Sequence, residues 1–154
     1  MEYDVAVIGA GVVGSLVARE LSRYRLKVCL LEKEEDVAMG ATKANSAIVH
    51  GGFDPVPGTL KARLNVKGTA MMPSLARELH VPYQNNGSLV VAFSKEEMEH
   101  VKLLYRRGLD NGVPGMKLLS GQEVKEMEPH LSSKTVGALL CGSAGIVCPY
   151  ELTI

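Results

Sequence analysis

Gly9, Gly11 and Gly14 stand in the order Gly-x-Gly-x-x-Gly, and Glu32 follows 18 positions after the last of them. Residues of these types at this spacing can hold a pyrophosphate and a ribose. Glycine at the first position permits a tight turn, at the second it lets the backbone approach the pyrophosphate, and at the third it lets a helix lie close on a strand. The start of that helix offers unpaired N–H groups and a positive dipole end to the phosphates. A carboxylate placed as Glu32 is can accept both hydroxyls of an adenosine ribose. The chemistry is the clamping of an adenine dinucleotide. Its bland alternative is a structural strand–turn–helix with a solvated glutamate at the strand end.

Such a clamp needs a strand before the glycines, a helix after them and a second strand that ends on the acid. "YDVAVI", residues 3–8, is short, apolar and β-branched, and reads as a buried parallel strand. Residues 13–23 then place Leu16, Val17, Glu20 and Leu21 at helical spacing, and "KVCLLE", residues 27–32, reads as a second buried strand. NAD and FAD both use this unit. The discriminating region is residues 34–65, where a small, hydroxyl-bearing stretch (40–46) runs into "AIVHGG". Small side chains suit a backbone lying against a large flat ligand, although a surface loop accounts equally well for the composition.

Residues 4–54, with "NGSLVVAF" (86–93) and "AGIVCPYELT" (144–153), resemble the N-terminal region of the FAD-dependent oxidoreductases of the D-amino-acid oxidase / glycerol-3-phosphate dehydrogenase superfamily. Within it the likeness is to bacterial FAD-dependent glycerol-3-phosphate dehydrogenases and L-2-hydroxyglutarate oxidases, and it covers essentially the whole chain. The resemblance implies that Val12, Val13, Glu32 and Lys33 contact the ADP half of FAD. It also implies that Ala41, Thr42, Ser46, Ala47 and Ile48 lie along the pyrophosphate, ribityl chain and flavin ring. The implied reaction removes hydride from the CH–OH carbon of a small 2-hydroxy acid or polyol phosphate and delivers it to flavin N5. The family's substrate-binding residues lie mostly outside this stretch, so no catalytic residue is assigned.

The implied fold class is α/β: a partial Rossmann-like FAD-binding domain with the beginning of an α+β substrate domain. Its expected boundaries are 1–82 for the first part of the cofactor domain, 83–143 for the start of the substrate domain and 144–154 for a return to the cofactor sheet. The chain reads as the N-terminal portion of a longer flavoenzyme, inactive by itself and prone to self-association through uncovered strand edges. Two readings of other classes stand beside this one: an NAD-dependent dehydrogenase module, and a non-catalytic nucleotide-binding fragment.

His50 directly follows the stretch that the resemblance implies lines the flavin, and precedes Gly51-Gly52. It admits three roles: shaping the turn, making a polar contact on the substrate side, or linking covalently to the flavin. His80, His100 and His130 stand singly in polar helical contexts without metal-ligand spacing. Lysine plus arginine and aspartate plus glutamate number 17 each, which gives no support for nucleic acid or an anionic membrane as partner. Three cysteines without a Cys-x-x-Cys pair fit a reducing compartment, with Cys29 in an apolar run read as a buried free thiol. No signal peptide or membrane-spanning segment is visible, and a cytoplasmic location is the default.

The remaining elements must support that site. Residues 59–79 carry a helical pattern with Leu60, Leu64, Met71, Leu75 and Leu79 near one face, and Pro73 is expected to kink or divide it. The methionines, Met71 and Met72 included, read as gap-filling core. Residues 87–93 read as a strand, and Ser94 with Glu97 opens a helix reaching about Asn111. Residues 116–119 form a short strand, and Ser120 with Glu123 caps another helix. Residues 136–141 and 145–148 are two further strands, after which Pro149 is placed to begin a helix.

Overall fold

A parallel strand pair and an antiparallel three-stranded sheet anchor two separate compact units. The computed structural model of the chain describes residues 2–154. The first unit comprises the residues up to Ala47 with Ala76–Pro82 and Val147–Ile154; the second comprises Ile48–Leu75 and Tyr83–Ile146.

In the first unit, β1 (Val5–Ile8) pairs in parallel with β2 (Val28–Leu31), joined by α1 (Val12–Leu21). The register runs Val5 opposite Val28 to Ile8 opposite Leu31, which brings the ends of both strands level beside the glycine turn. The β-α-β unit is as the sequence predicts, but its strands are not fully buried. Ile8 is 86% exposed and Leu31 53%. Two strands with one intervening helix leave apolar surface that a wider parallel sheet would cover. For the same reason Cys29 is half-buried rather than buried.

In the second unit, β5 (Ser88–Ala92), β7 (Gly137–Cys141) and β6 (Met116–Ser120) form an antiparallel sheet with β7 in the middle. The two faces of β7 feed two clusters. Leu139 and Cys141 pack with Phe53, Ala92, Val101, Leu104 and Val113, whereas Ala138 packs with Leu119 and Val124. α3 (Lys95–Asp110) supplies Val101 and Leu104 to one face, and α4 (Gly121–Met127) supplies Val124 to the other. Both helices start where hydroxyls stop the preceding strands. Ser94 Oγ accepts from the Glu97 N–H, although the Glu97 carboxylate reaches back to the Phe93 N–H rather than to that of Ser94. Ser120 and Glu123 close a reciprocal capping box.

A second three-stranded sheet has the order β3 (Ile48–Val49), β8 (Gly145–Val147), β4 (Tyr83–Gln84). β8 therefore pairs antiparallel with β3 and does not extend the parallel pair. After it, residues 149–153 form turns rather than the helix that Pro149 suggests.

α2 (Leu60–Glu78) differs from its sequence reading in two respects. It runs through Pro73 as one helix. Its buried side also carries Ala62, Thr69 and Ala76, whereas Leu60, Leu64 and Met71 are more than half exposed. Ala62, Thr69 and Ala76 stand seven apart on one side of the helix, and this small-residue side is the buried one. Met71 is accordingly not core filling.

Leu139 has no exposed surface and sits on the central strand. Leu139→Ala should lower unfolding free energy by about 2–5 kcal/mol, read from urea denaturation. A loss under about 1 kcal/mol would mean that the cluster collapses around the gap.

Candidate dinucleotide site

The site lies within the first unit and begins at Gly9, whose φ of +98° is a left-handed conformation that suits glycine. The turn bends β1 directly into α1. A β-carbon on Gly14 would overlap the Gly9 carbonyl oxygen, so the helix lies closer to the strand than any side chain allows. Gly11 is the N-cap of α1 and brings no side chain to its own helix end. Thr42 takes that place from 30 residues away: its Oγ1 accepts from the Val12 N–H at 3.0 Å. A β-carbon on Gly11 would stand 3.0 Å from the same Thr42 oxygen.

Glu32 closes the other side. Its Oε2 accepts from the Ala10 N–H at 2.7 Å, and its Oε1 accepts from Lys33 N–H at 2.8 Å and Glu34 N–H at 3.1 Å. These bonds, that from Ala10 foremost, hold the Glu32 carboxyl below the usual carboxylate range, helped by the Lys33 charge. Oε2 keeps an acceptor position for a ribose hydroxyl.

The cleft enclosed by these groups measures about 880 Å³. Gly9, Gly11, Val12, Val13, Gly14, Glu32, Lys33, Ala41 and Thr42 all line it. Ser46, Ala47 and Ile48 do not. Ser46 is exposed and Ala47 belongs to the first unit, whereas Ile48 opens β3 in the second. Ala47 adopts φ of +60°, an unusual conformation for alanine. It is held by its N–H to Asn45 Oδ1 at 2.7 Å and by its carbonyl, which accepts from Val147 N–H at 3.0 Å.

Asn45 is the residue that sequence reasoning passed over. Its Nδ2 donates to the carbonyls of Ala41 and Thr42 while its Oδ1 holds Ala47, so one side chain shapes the whole 41–47 turn. The available signal was the preference of asparagine for bonding its own neighbouring backbone. Met39 and Gly40 also line the cleft. The four histidines are all exposed, and no group of three or more metal-ligating side chains occurs among the described residues.

The groups present fit a dinucleotide. The first-turn N–H groups of Val13 and Gly14 have no carbonyl one turn back to bond. Among the described residues the Thr42 hydroxyl proton has no acceptor, and Ile8, Val17 and Leu31 give the cleft apolar walls.

The family model described as "FAD dependent oxidoreductase" matches residues 4–154. The chain belongs to this FAD-dependent oxidoreductase family. It is 53% identical to a glycerol 3-phosphate dehydrogenase from Caloramator mitchellensis, over 99% of this chain and 32% of that protein. It is 39% identical to a mitochondrial L-2-hydroxyglutarate dehydrogenase from Dictyostelium discoideum, over 94% of this chain and 33% of the relative. The solved structure of dithionite-reduced L-alpha-glycerophosphate oxidase from Mycoplasma pneumoniae with FAD bound superposes with a TM-score of 0.92 at 33% identity. That match covers 99% of this chain and 41% of the other. The chain thus spans about a third of the length of the curated relatives it matches.

The contacts of Gly11 and Gly14 separate two effects that a family motif merges. Gly14→Ala should melt the first unit, because its β-carbon meets backbone. Gly11→Val should leave the far-ultraviolet circular dichroism intact and remove dinucleotide binding. Normal cofactor affinity in Gly11→Val would overturn the clamp.

Proposed function

We propose that the chain supplies the cofactor clamp of a flavoenzyme oxidising the CH–OH group of a small substrate such as glycerol 3-phosphate or a 2-hydroxy acid. The observation that carries the reading is the closed arrangement of Ala10 N–H on Glu32 and Val12 N–H on Thr42 around one cleft, in a chain of this family. The substrate class is supported by the names of the relatives at 53% and 39% identity. When bound, FAD supplies the acceptor for the hydride that leaves the substrate carbon.

Each residue then has a task. The backbone at Gly9 and Gly11 makes room for the pyrophosphate, and the N–H groups of Val13 and Gly14 face it. Thr42 accepts from Val12 and turns its own proton to a phosphate oxygen. Glu32 takes a ribose hydroxyl beside Lys33, and Ala41 leaves space next to Thr42. Ser46, Ala47 and Ile48 are assigned to the ribityl chain and ring. In this reading 1–82 and 144–154 serve the cofactor and 83–143 begins the substrate domain. Three unpaired cysteines are compatible with a cytoplasmic setting. Among the described residues no helix is long and apolar enough to cross a membrane.

The deciding experiment is anaerobic reduction. Holoenzyme purified with flavin should bleach near 450 nm when glycerol 3-phosphate or L-2-hydroxyglutarate is added. Colourless protein that binds NAD instead would overturn the proposal.

Glu32→Ala should weaken FAD about tenfold or more, as charge-assisted bonds to the ribose and to Ala10 are lost together. Titration calorimetry measures it. Because the Glu32 carboxyl is held low, its contribution is complete above the ordinary carboxylate pKa and fades as pH falls through the lower, folded-state value. Wild-type affinity should therefore stay level as pH falls to the ordinary carboxylate range and weaken only below it.

The 154-residue chain by itself should associate rather than turn over substrate, through the apolar surface of Ile8, Leu30 and Leu31. Light scattering of the isolated chain tests this; a monomer with normal turnover would refute it.

A further inference from the structure

The loop after β3 is fastened more heavily than a surface connection requires. Thr69, on the buried side of α2 and only 8% exposed, donates its hydroxyl proton to the carbonyls of His50 and Asn65. Asn111, the C-cap of α3, donates through Nδ2 to Gly52 O at 3.0 Å and to Pro55 O at 2.9 Å. Arg107 reaches Asp54 O at 3.2 Å. Side chains from two helices therefore hold four carbonyls within residues 50–55.

Sterics tighten the same loop. Gly52 adopts φ of +105°, and a β-carbon there would stand 2.6 Å from Val66 Cγ2. A β-carbon on Gly51 would overlap Cys141 Sγ. Backbone pinned in this way fixes where the His50 side chain emerges, yet the side chain itself is exposed. It emerges at a pocket of about 380 Å³ whose polar lining is His50, Asp54, Lys61 and Asn65. Asn65 Oδ1 is buried there without a hydrogen-bond partner among the described residues. A buried amide oxygen without a donor costs free energy.

We propose that Thr69 and Asn111 are positioning residues: they hold the His50 carbonyl and the Gly52 carbonyl so that the His50 ring faces a small hydroxylated substrate in this pocket. The inference rests on the oxidation of a CH–OH substrate set out above. Neither residue touches substrate. Each acts through the pose of His50, and a displacement of about 1 Å at a reacting group can cost a hundredfold in rate.

The test is the rate of flavin reduction by substrate in holoenzyme, measured by stopped flow for Thr69→Val, Thr69→Ser and Asn111→Ala. Thr69→Val keeps the shape and removes the hydroxyl, and should slow reduction about tenfold or more while flavin content stays that of wild type. Thr69→Ser restores the donor and should return the rate to within about threefold. Asn111→Ala keeps the backbone bonds of the α3 C-cap, so it gives a second route to the same effect should Thr69→Val fail to fold.

The decisive arm repeats each substitution in a His50→Asn background. A positioning role predicts that the further loss disappears there, because the residue being positioned is gone. An unchanged rate in both Thr69→Val and Asn111→Ala would overturn the inference, as would losses that simply add to that of His50→Asn. Wild-type holoenzyme that no such substrate reduces would sink the oxidoreductase reading first, and this inference with it.

Discussion

The cleft is built on a contact that excludes a side chain: α1 lies so close to the end of β1 that a β-carbon on Gly14 has no space beside the Gly9 carbonyl. This approach puts the first turn of the helix level with the ends of both parallel strands. Val12 N–H then arrives where Thr42 can accept from it, and Ala10 N–H arrives where Glu32 can. Thr42 Oγ1 and Glu32 Oε2 would each lose this partner if the helix stood further off. The turn has no regular structure of its own, and Asn45 gives it shape while Thr42 gives it an address.

Glu32 shows how the proposed recognition and the fold share one group. An ionised carboxylate is an acceptor with about four lone-pair positions, and three backbone N–H groups use it before any ligand arrives. The strand end, the glycine turn and the following residues are thereby locked as a unit. A ligand meeting this carboxylate finds it charged and already oriented, so little ordering cost is left to association.

The legible part of this molecule was the part governed by local rules. The glycine spacing, the strand–helix–strand order and the two Ser-x-x-Glu starts depend on residues within a turn or two of one another, and each appears where the sequence places it. Most of what escaped depends on distant partners. The buried side of α2 is its Ala62–Thr69–Ala76 side, where Thr69 bonds the His50 carbonyl 19 residues away. The exposure of Ile8 and Leu31 reflects how few strands lie beside them, which no periodicity encodes. Thr42 was picked out through family likeness, but its bond to a helix end 30 residues away is a fact of three dimensions. Asn45 was invisible because an asparagine in a turn has many uses, and only its three bonds reveal which one applies.

β7 lies between β5 and β6 although it follows both in the chain. A ribosome therefore releases the two outer strands well before the strand that joins them. Until residues 137–141 leave the exit tunnel, Leu89, Val91 and Leu119 have no sheet partner and their apolar side chains stay accessible. This architecture makes the synthesis of residues 93–136 a hazardous interval, because long-range pairing is slow and unpaired strands aggregate. The longer residues 93–136 take to be translated, the longer those side chains stay uncovered.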